Sequence, residues 1–220
     1  MSEAVEPWRH VGRVYTNGQQ FLVLDIGVLA AWRATEEQID ELVELGSCVT
    51  TLPVGDGIAG IVAVDASIND EGWLEVFQRG TDHVAIVQGL GSPYRDVMVR
   101  ALSYSSTTQA DDAFIEIGGD ELVLWDSALD GAEDTHTGLH HAVPRRLPAD
   151  PQPLHAGSPL PPAGLRIPVR PGTYQLDVRW RTALGDGAHF ARWLLKRRNG
   201  QTTARHQLKR SARLAVLPPA

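Results

Sequence analysis

Gln20-Phe21-Leu22-Val23-Leu24-Asp25 is a short apolar run set between the turn-forming pair Asn17-Gly18 and a carboxylate. Such a run reads as a buried strand. It occurs twice. Residues 15–25 align with 116–126 at an offset of 101, so that Phe21-Leu22-Val23-Leu24-Asp25 falls on Leu122-Val123-Leu124-Trp125-Asp126. Further on, Leu74-Glu75-Val76 aligns with Leu176-Asp177-Val178 at an offset of 102. Two matches at nearly one offset predict a duplicated strand-rich unit. The expected fold is mainly β: two packed antiparallel β-sandwich-like units with one short amphipathic helix. The units are placed at 1–108 and 109–187, followed by a basic C-terminal segment at 188–220.

Outward from the repeated run, residues 12–15 are expected to pair with 20–25 as a hairpin, because Asn-Gly readily takes the positive φ values of a tight turn. Residues 36–45 form the clearest helix. Thr35 stands at the N-cap with Gln38 three residues on, a capping-box spacing. Ile39, Leu42 and Val43 share one face, and Glu36, Glu37, Asp40, Glu41 and Glu44 point outward. Trp32 is expected to anchor this helix on a sheet, and Gly46 to stop it. Strands follow at 49–54 and 58–65, joined at Gly55-Asp56-Gly57, and at 73–78 and 83–88. Residues 95–104 suit either strand or helix. In the second unit, strands fall at 113–117 and 122–126 around Gly118-Gly119, and at 165–169. Seven prolines between 144 and 162 make 130–163 a long loop. Tyr174, Leu176, Val178 and Trp180 alternate with Gln175, Asp177, Arg179 and Arg181, which is strict period two. Residues 189–198 suit strand or helix.

Composition bounds the function. The formal charge is −7, but all 27 acidic residues lie in 1–187 beside 12 basic ones, a net of −15. Residues 188–220 carry eight basic residues and no acid. An acidic body attracts basic partners and repels nucleic acid, and a basic segment does the reverse. The one cysteine, Cys48, allows no internal disulfide and fits a reducing compartment. It reads as a small core residue. The acidic start has no apolar core of a signal peptide, and residues 21–32 are too short to span a bilayer. A cytoplasmic protein without a membrane partner is expected.

Signals of catalysis are sparse. Gly55, Gly57 and Gly60 match G-x-G-x-x-G, but Ile61-Val62-Ala63-Val64 favours a strand where a dinucleotide site needs a helix. The densest ligand-type cluster is Glu133, Asp134, His136, His140 and His141. On a helix, His136 and His140 would share a face and could hold a metal together with His141. Asp111 and Asp112 read as surface charge, and no cofactor is expected. Trp73, at a turn-to-strand junction, is a candidate partner anchor. Phe190 and Trp193, interleaved with Arg192 and Lys196, could serve a nucleic-acid backbone.

The run 20–25, then Trp32, then Thr35-Glu36-Glu37-Gln38-Ile39, resembles the opening of the competence protein J family, whose pattern is a strand containing Gln-Phe followed by Trp-Thr-acid-Glu-x-Ile. Val169-Arg170-Pro171-Gly172-Thr173-Tyr174-Gln175-Leu176 is similar to that family's closing strand. The resemblance implies a β-sandwich protein of bacterial type that binds and inhibits a DNA-entry nuclease, or an immunity protein that neutralises a toxin. It carries over no functional residue. The leading expectation is a non-enzymatic binder that blocks a basic nuclease or toxin sterically, with Trp73, Glu36, Glu37, Asp40, Glu41 and Glu44 as contacts. The alternatives are a metal-dependent enzyme using residues 133–141, and a nucleic-acid binder acting through 188–220.

Overall fold

The computed structural model describes residues 6–45, 50–64, 68, 72–105, 113–133, 138–152, 154–155 and 157–198. Cys48, Gly46, Asp111, Asp112, His136 and residues 199–220 lie outside them. The chain is mainly β, built as two packed sheets. In chain order the strands are β1 (Arg9–Thr16), β2 (Phe21–Asp25), β3 (Thr51–Val54), β4 (Gly57–Val62), β5 (Gly72–Arg79), β6 (His83–Leu90), β7 (Ala113–Ile117), β8 (Glu121–Asp126), β9 (Leu139–His141), β10 (Gly164–Pro168), β11 (Gly172–Gly185) and β12 (Ala188–Arg197). The first sheet runs β1-β5-β6-β12-β11-β7 and the second runs β3-β4-β2-β8-β10-β9.

Both orders read the same from either end once β1–β6 are matched with β7–β12. Each half supplies three strands to each sheet, so the repeated units are fused edge to edge through continuous sheets. The register makes the relation sharper. β2 pairs antiparallel with β8, Val23 opposite Leu124, and these two are counterparts at the offset of 101. In the other sheet Leu74 pairs with Gln88, and its counterpart Leu176 pairs with Leu195. That makes Ile86 the counterpart of Trp193, and these two also pair with each other. A residue that pairs with its own counterpart lies on a local two-fold axis. All four side chains belong to the core between the sheets. The match fails at the outer strands: β3 is antiparallel to β4, whereas β9 is parallel to β10.

Two expectations are corrected here. Residues 12–15 and 20–25 do not form a hairpin, since β1 pairs with β5 in one sheet and β2 with β4 and β8 in the other. Asn17-Gly18 carries the chain from one layer to the other, and Gly118-Gly119 does the same between β7 and β8. A tight turn specifies a reversal, and burial of both flanking runs decides whether they pair or part. Second, the basic segment does not begin as a tail. Residues 188–197 are β12, held between β6 and β11 in the middle of the first sheet. Phe190 and Trp193 are completely buried and cannot stack on bases.

Each sheet is covered on its outside by a helix. A 3-10 helix η1 (Ile26–Ala31) and α1 (Glu36–Leu45) lie over the second sheet, where Leu29, Trp32 and Leu42 pack with Leu22, Leu24, Val123 and Trp125. The Trp32 indole N–H donates to the Ser127 carbonyl at 3.0 Å, so this residue anchors the segment as expected. Over the first sheet lies α2 (Tyr94–Ser103), whose Tyr94, Val97, Met98 and Ala101 pack on Phe77, Val87, Phe190 and Leu194. Its last carbonyls are gathered by one buried guanidinium. Arg192 donates to Ala101 at 2.6 Å, to Tyr104 at 3.1 Å and to Ser105 at 3.1 Å. A cation there also complements the negative end of the helix dipole.

The turns between layers are held by two counterpart aspartates, each reaching into the other half. Asp25 accepts the N–H groups of Gly27 at 2.6 Å, Gly118 at 2.5 Å and Gly119 at 3.0 Å. Asp126 accepts the Ala128 N–H at 2.9 Å and the Gln19 side-chain amide at 3.0 Å. The proline-rich segment starts along the open edge of β1, where Val143 and Arg145 donate backbone N–H groups to Val11 and His10 at 2.9 and 2.8 Å. Covering an edge in this way blocks unwanted strand addition.

Candidate functional site

The helix α1 is the predicted one, and its capping box forms. The Gln38 N–H donates to Thr35 Oγ1 at 3.3 Å, and the Thr35 N–H to Gln38 Oε1 at 3.4 Å. Glu36, Glu37, Asp40, Glu41 and Glu44 are all exposed. At 3.6 residues per turn they span roughly 140° of the helix surface. None of them forms an ion pair with a described residue. Leu42 is buried and Ile39 half-buried, as the pattern predicts, but Val43 stands 66% exposed beside the acidic arc. Three like-charge pairs at i and i+4 (Glu36–Asp40, Glu37–Glu41, Asp40–Glu44) destabilise this helix by about 1 kcal/mol together. Glu44 also opposes the helix dipole. Glu36 and Glu37 lie in the first turn, where the dipole favours them, so the charges that folding leaves unexplained are Asp40, Glu41 and Glu44.

Trp73 does not join that surface. It lies on β5 in the first sheet, half-buried, while α1 covers the second. Its indole N–H donates to the Gln152 carbonyl at 2.9 Å. The Arg13 guanidinium lies 3.9 Å from the ring centroid, and Tyr15 packs edge-on at 5.1 Å. Its role here is to fasten the proline-rich segment. His140 and His141 sit on β9, opposite Leu165 and Arg166, and are exposed. Consecutive strand residues point to opposite faces, so these two do not converge on one ion. His141 instead lies 3.8 Å from Glu121, whose carboxylate also takes Arg166. Among the described residues no group of three His, Cys, Asp or Glu side chains could hold a metal. No described helix is long and apolar enough to cross a membrane.

A second site was not legible in the sequence. The outer face of the first sheet carries a cleft of about 860 Å³ between α2 and residues 144–147, with the start of β1 and the end of β5 beneath. Arg9, Arg79, Arg95, Arg145 and Arg146 line it, and no carboxylate does. None of the five forms an ion pair with a described residue. Trp8, with Arg79 4.8 Å above its ring, forms one wall, and Met98, Leu102 and Leu147 form others. At the base His10 packs on Phe77, ring centroids 5.3 Å apart.

Beneath that base is a buried polar cluster. The fully buried Glu75 meets His10 Nε2 at 2.7 Å and accepts the Tyr94 hydroxyl at 3.2 Å. Burial and the Glu75 carboxylate hold the Tyr94 phenol far above its ordinary range, so it stays a neutral donor. A carboxylate at Nε2 makes that nitrogen the N–H donor. His10 Nδ1 has no partner among the described residues, although the side chain is only 5% exposed. Close to this region, burial and then Arg79 hold the His83 imidazole below its usual range. His10, Glu75 and Tyr94 come from three distant parts of the chain, and nothing in their local spacing marks them. Only the register of β1 against β5 and the seating of α2 bring them together.

No protein-family model, curated protein or solved structure matches this chain. The class defined here is therefore one of architecture: a two-sheet β-sandwich with a repeated topology and a helix outside each sheet.

Proposed function

We propose that the chain is a non-enzymatic binding protein that docks a basic protein on the outer face of α1. The observation that carries this reading is the arc of five exposed carboxylates without described ion-pair partners, beside an exposed Val43. The self-repulsion along the helix, about 1 kcal/mol, is relieved when cations approach. Val43 supplies the apolar contact, in the place first assigned to Trp73. The competence protein J resemblance and the net −15 of residues 1–187 favour a nuclease or toxin as the partner, blocked by steric occlusion.

The test uses immobilised full-length protein, wild type and Glu37→Lys/Glu41→Lys, in native-host lysate treated with nuclease. A basic protein retained by wild type, lost by the variant, and inhibited in its own activity by added wild-type protein supports the reading. A basic protein held equally by both variants, or no such protein, refutes it.

A further inference from the structure

The acidic helix leaves the arginine cleft on the opposite face unexplained. Five guanidinium groups collected in one concavity repel one another, and each would be better solvated apart. A protein that is acidic overall has carboxylates to spare, yet none lines this cleft. The walls are also built rather than accidental. Arg145 sits on a peptide whose N–H is tied to the His10 carbonyl at 2.8 Å. The base presents a buried imidazole with one nitrogen fixed by Glu75 and the other unpartnered among the described residues.

We infer that this cleft binds a compact phosphorylated ligand carrying a flat or apolar body, of nucleoside di- or triphosphate class. Guanidinium groups recognise phosphate oxygens in bidentate pairs, and a polyphosphate concentrates enough charge to engage several at once. The volume of about 860 Å³ suits one such molecule. The half-buried Trp8 and Leu102, with the exposed Val99, offer an apolar surface for a planar ring. A long nucleic acid fits less well, because it would overrun the cleft onto a body with a net charge of −15.

The arginines on α2 and the proline-rich segment are exposed, so replacing them leaves the core intact. The experiment is isothermal titration calorimetry of the full chain with ATP, ADP and sodium tripolyphosphate, without added metal, at low and high salt. ATP is expected to bind with a micromolar dissociation constant. Arg95→Ala/Arg146→Ala should weaken it by about a hundredfold, roughly tenfold for each charge-assisted contact. Tripolyphosphate, which leaves the apolar wall unused, should bind about tenfold more weakly than ATP. Glu37→Lys/Glu41→Lys should leave ATP affinity unchanged, which separates this site from α1. Three results would overturn the inference: no heat with any probe at millimolar concentration, equal binding by the double variant, or affinity for single-stranded oligonucleotides that rises with length and exceeds that for ATP.

Discussion

Asp25→Ala tests the idea that each half of the molecule is latched to the other by an aspartate. The carboxylate is 9% exposed and accepts three backbone N–H groups, two of them across the two-fold axis in Gly118 and Gly119. Hydrogen bonds to a charged acceptor contribute about 1.5–3 kcal/mol each when the donors stay buried. Here Gly27 and Gly118 are exposed and can rehydrate, so about 1 kcal/mol per bond is the better figure. The expected loss is about 3 kcal/mol. For a domain of this size that lowers Tm by about 6–12 °C. Asp25→Asn keeps one carbonyl oxygen, which can take the place of Oδ2 and hold both second-half glycines. Its expected loss is about 2 kcal/mol, because the amide NH2 then faces the Gly27 N–H donor against donor and the remaining acceptor is uncharged. Urea unfolding, followed by both tryptophan fluorescence and circular dichroism, gives the two free energies. A loss below about 1 kcal/mol for Asp25→Ala, or an asparagine variant as damaged as the alanine, would refute the latch.

Arg192→Met should cost about 3 kcal/mol or more, because it frees three carbonyls at the end of α2; hydrogen exchange should rise first in residues 94–103, and uniform exchange would contradict the capping role. Burial raises the Asp126 carboxyl above its usual range. Its contribution to stability is therefore full below the unfolded value and is lost as pH rises through the folded one, so Asp126→Asn should flatten the stability profile above about pH 4. The Tyr174 phenol is pushed up to about 12, chiefly by burial, while its hydroxyl donates to the Arg170 carbonyl at 2.7 Å. Stability should fall as pH rises from about 10 to 12, and Tyr174→Phe should remove one late step from the ultraviolet titration. Gly131→Ala would place a Cβ 2.2 Å from the Leu29 carbonyl oxygen, so a Tm within a degree of wild type would contradict the close packing of that turn on η1.

Much of the fold is legible where local chemistry and tertiary environment agree. The Thr35–Gln38 capping box, the alternation of β11 and the β3–β4 hairpin at Gly55-Asp56 follow from signals a few residues wide. The repeat is visible because β2 and β8 must both be apolar on each face, one face toward the core and one under a helical or turn layer. What fails is pairing. Asn17-Gly18 suits a hairpin and a crossing between sheets equally well, and only the competition among distant strands decides. Residues 189–198 look ambiguous because a central strand covered on both faces has no polar side to alternate with. The acidic arc on α1 is local and legible. The arginine cleft is not, because its five cations come from four separate places and acquire meaning only when β1 and β5 are laid side by side under α2 and the proline-rich segment.

The local two-fold axis has a consequence for how this surface is divided. An assembly of two identical subunits must display every feature twice, and any insertion that suits one copy burdens the other. Fused in a single chain, the halves are free of that constraint. Between its second and third strands the first half carries the negatively charged helix α1. Where the first half has only the short turn at Gly55-Asp56, the second has residues 142–163, which bring Arg145 and Arg146 to the opposite side. A symmetric frame thus carries charge of opposite sign on its two outer layers, which gives the molecule a direction that its strand order alone does not have.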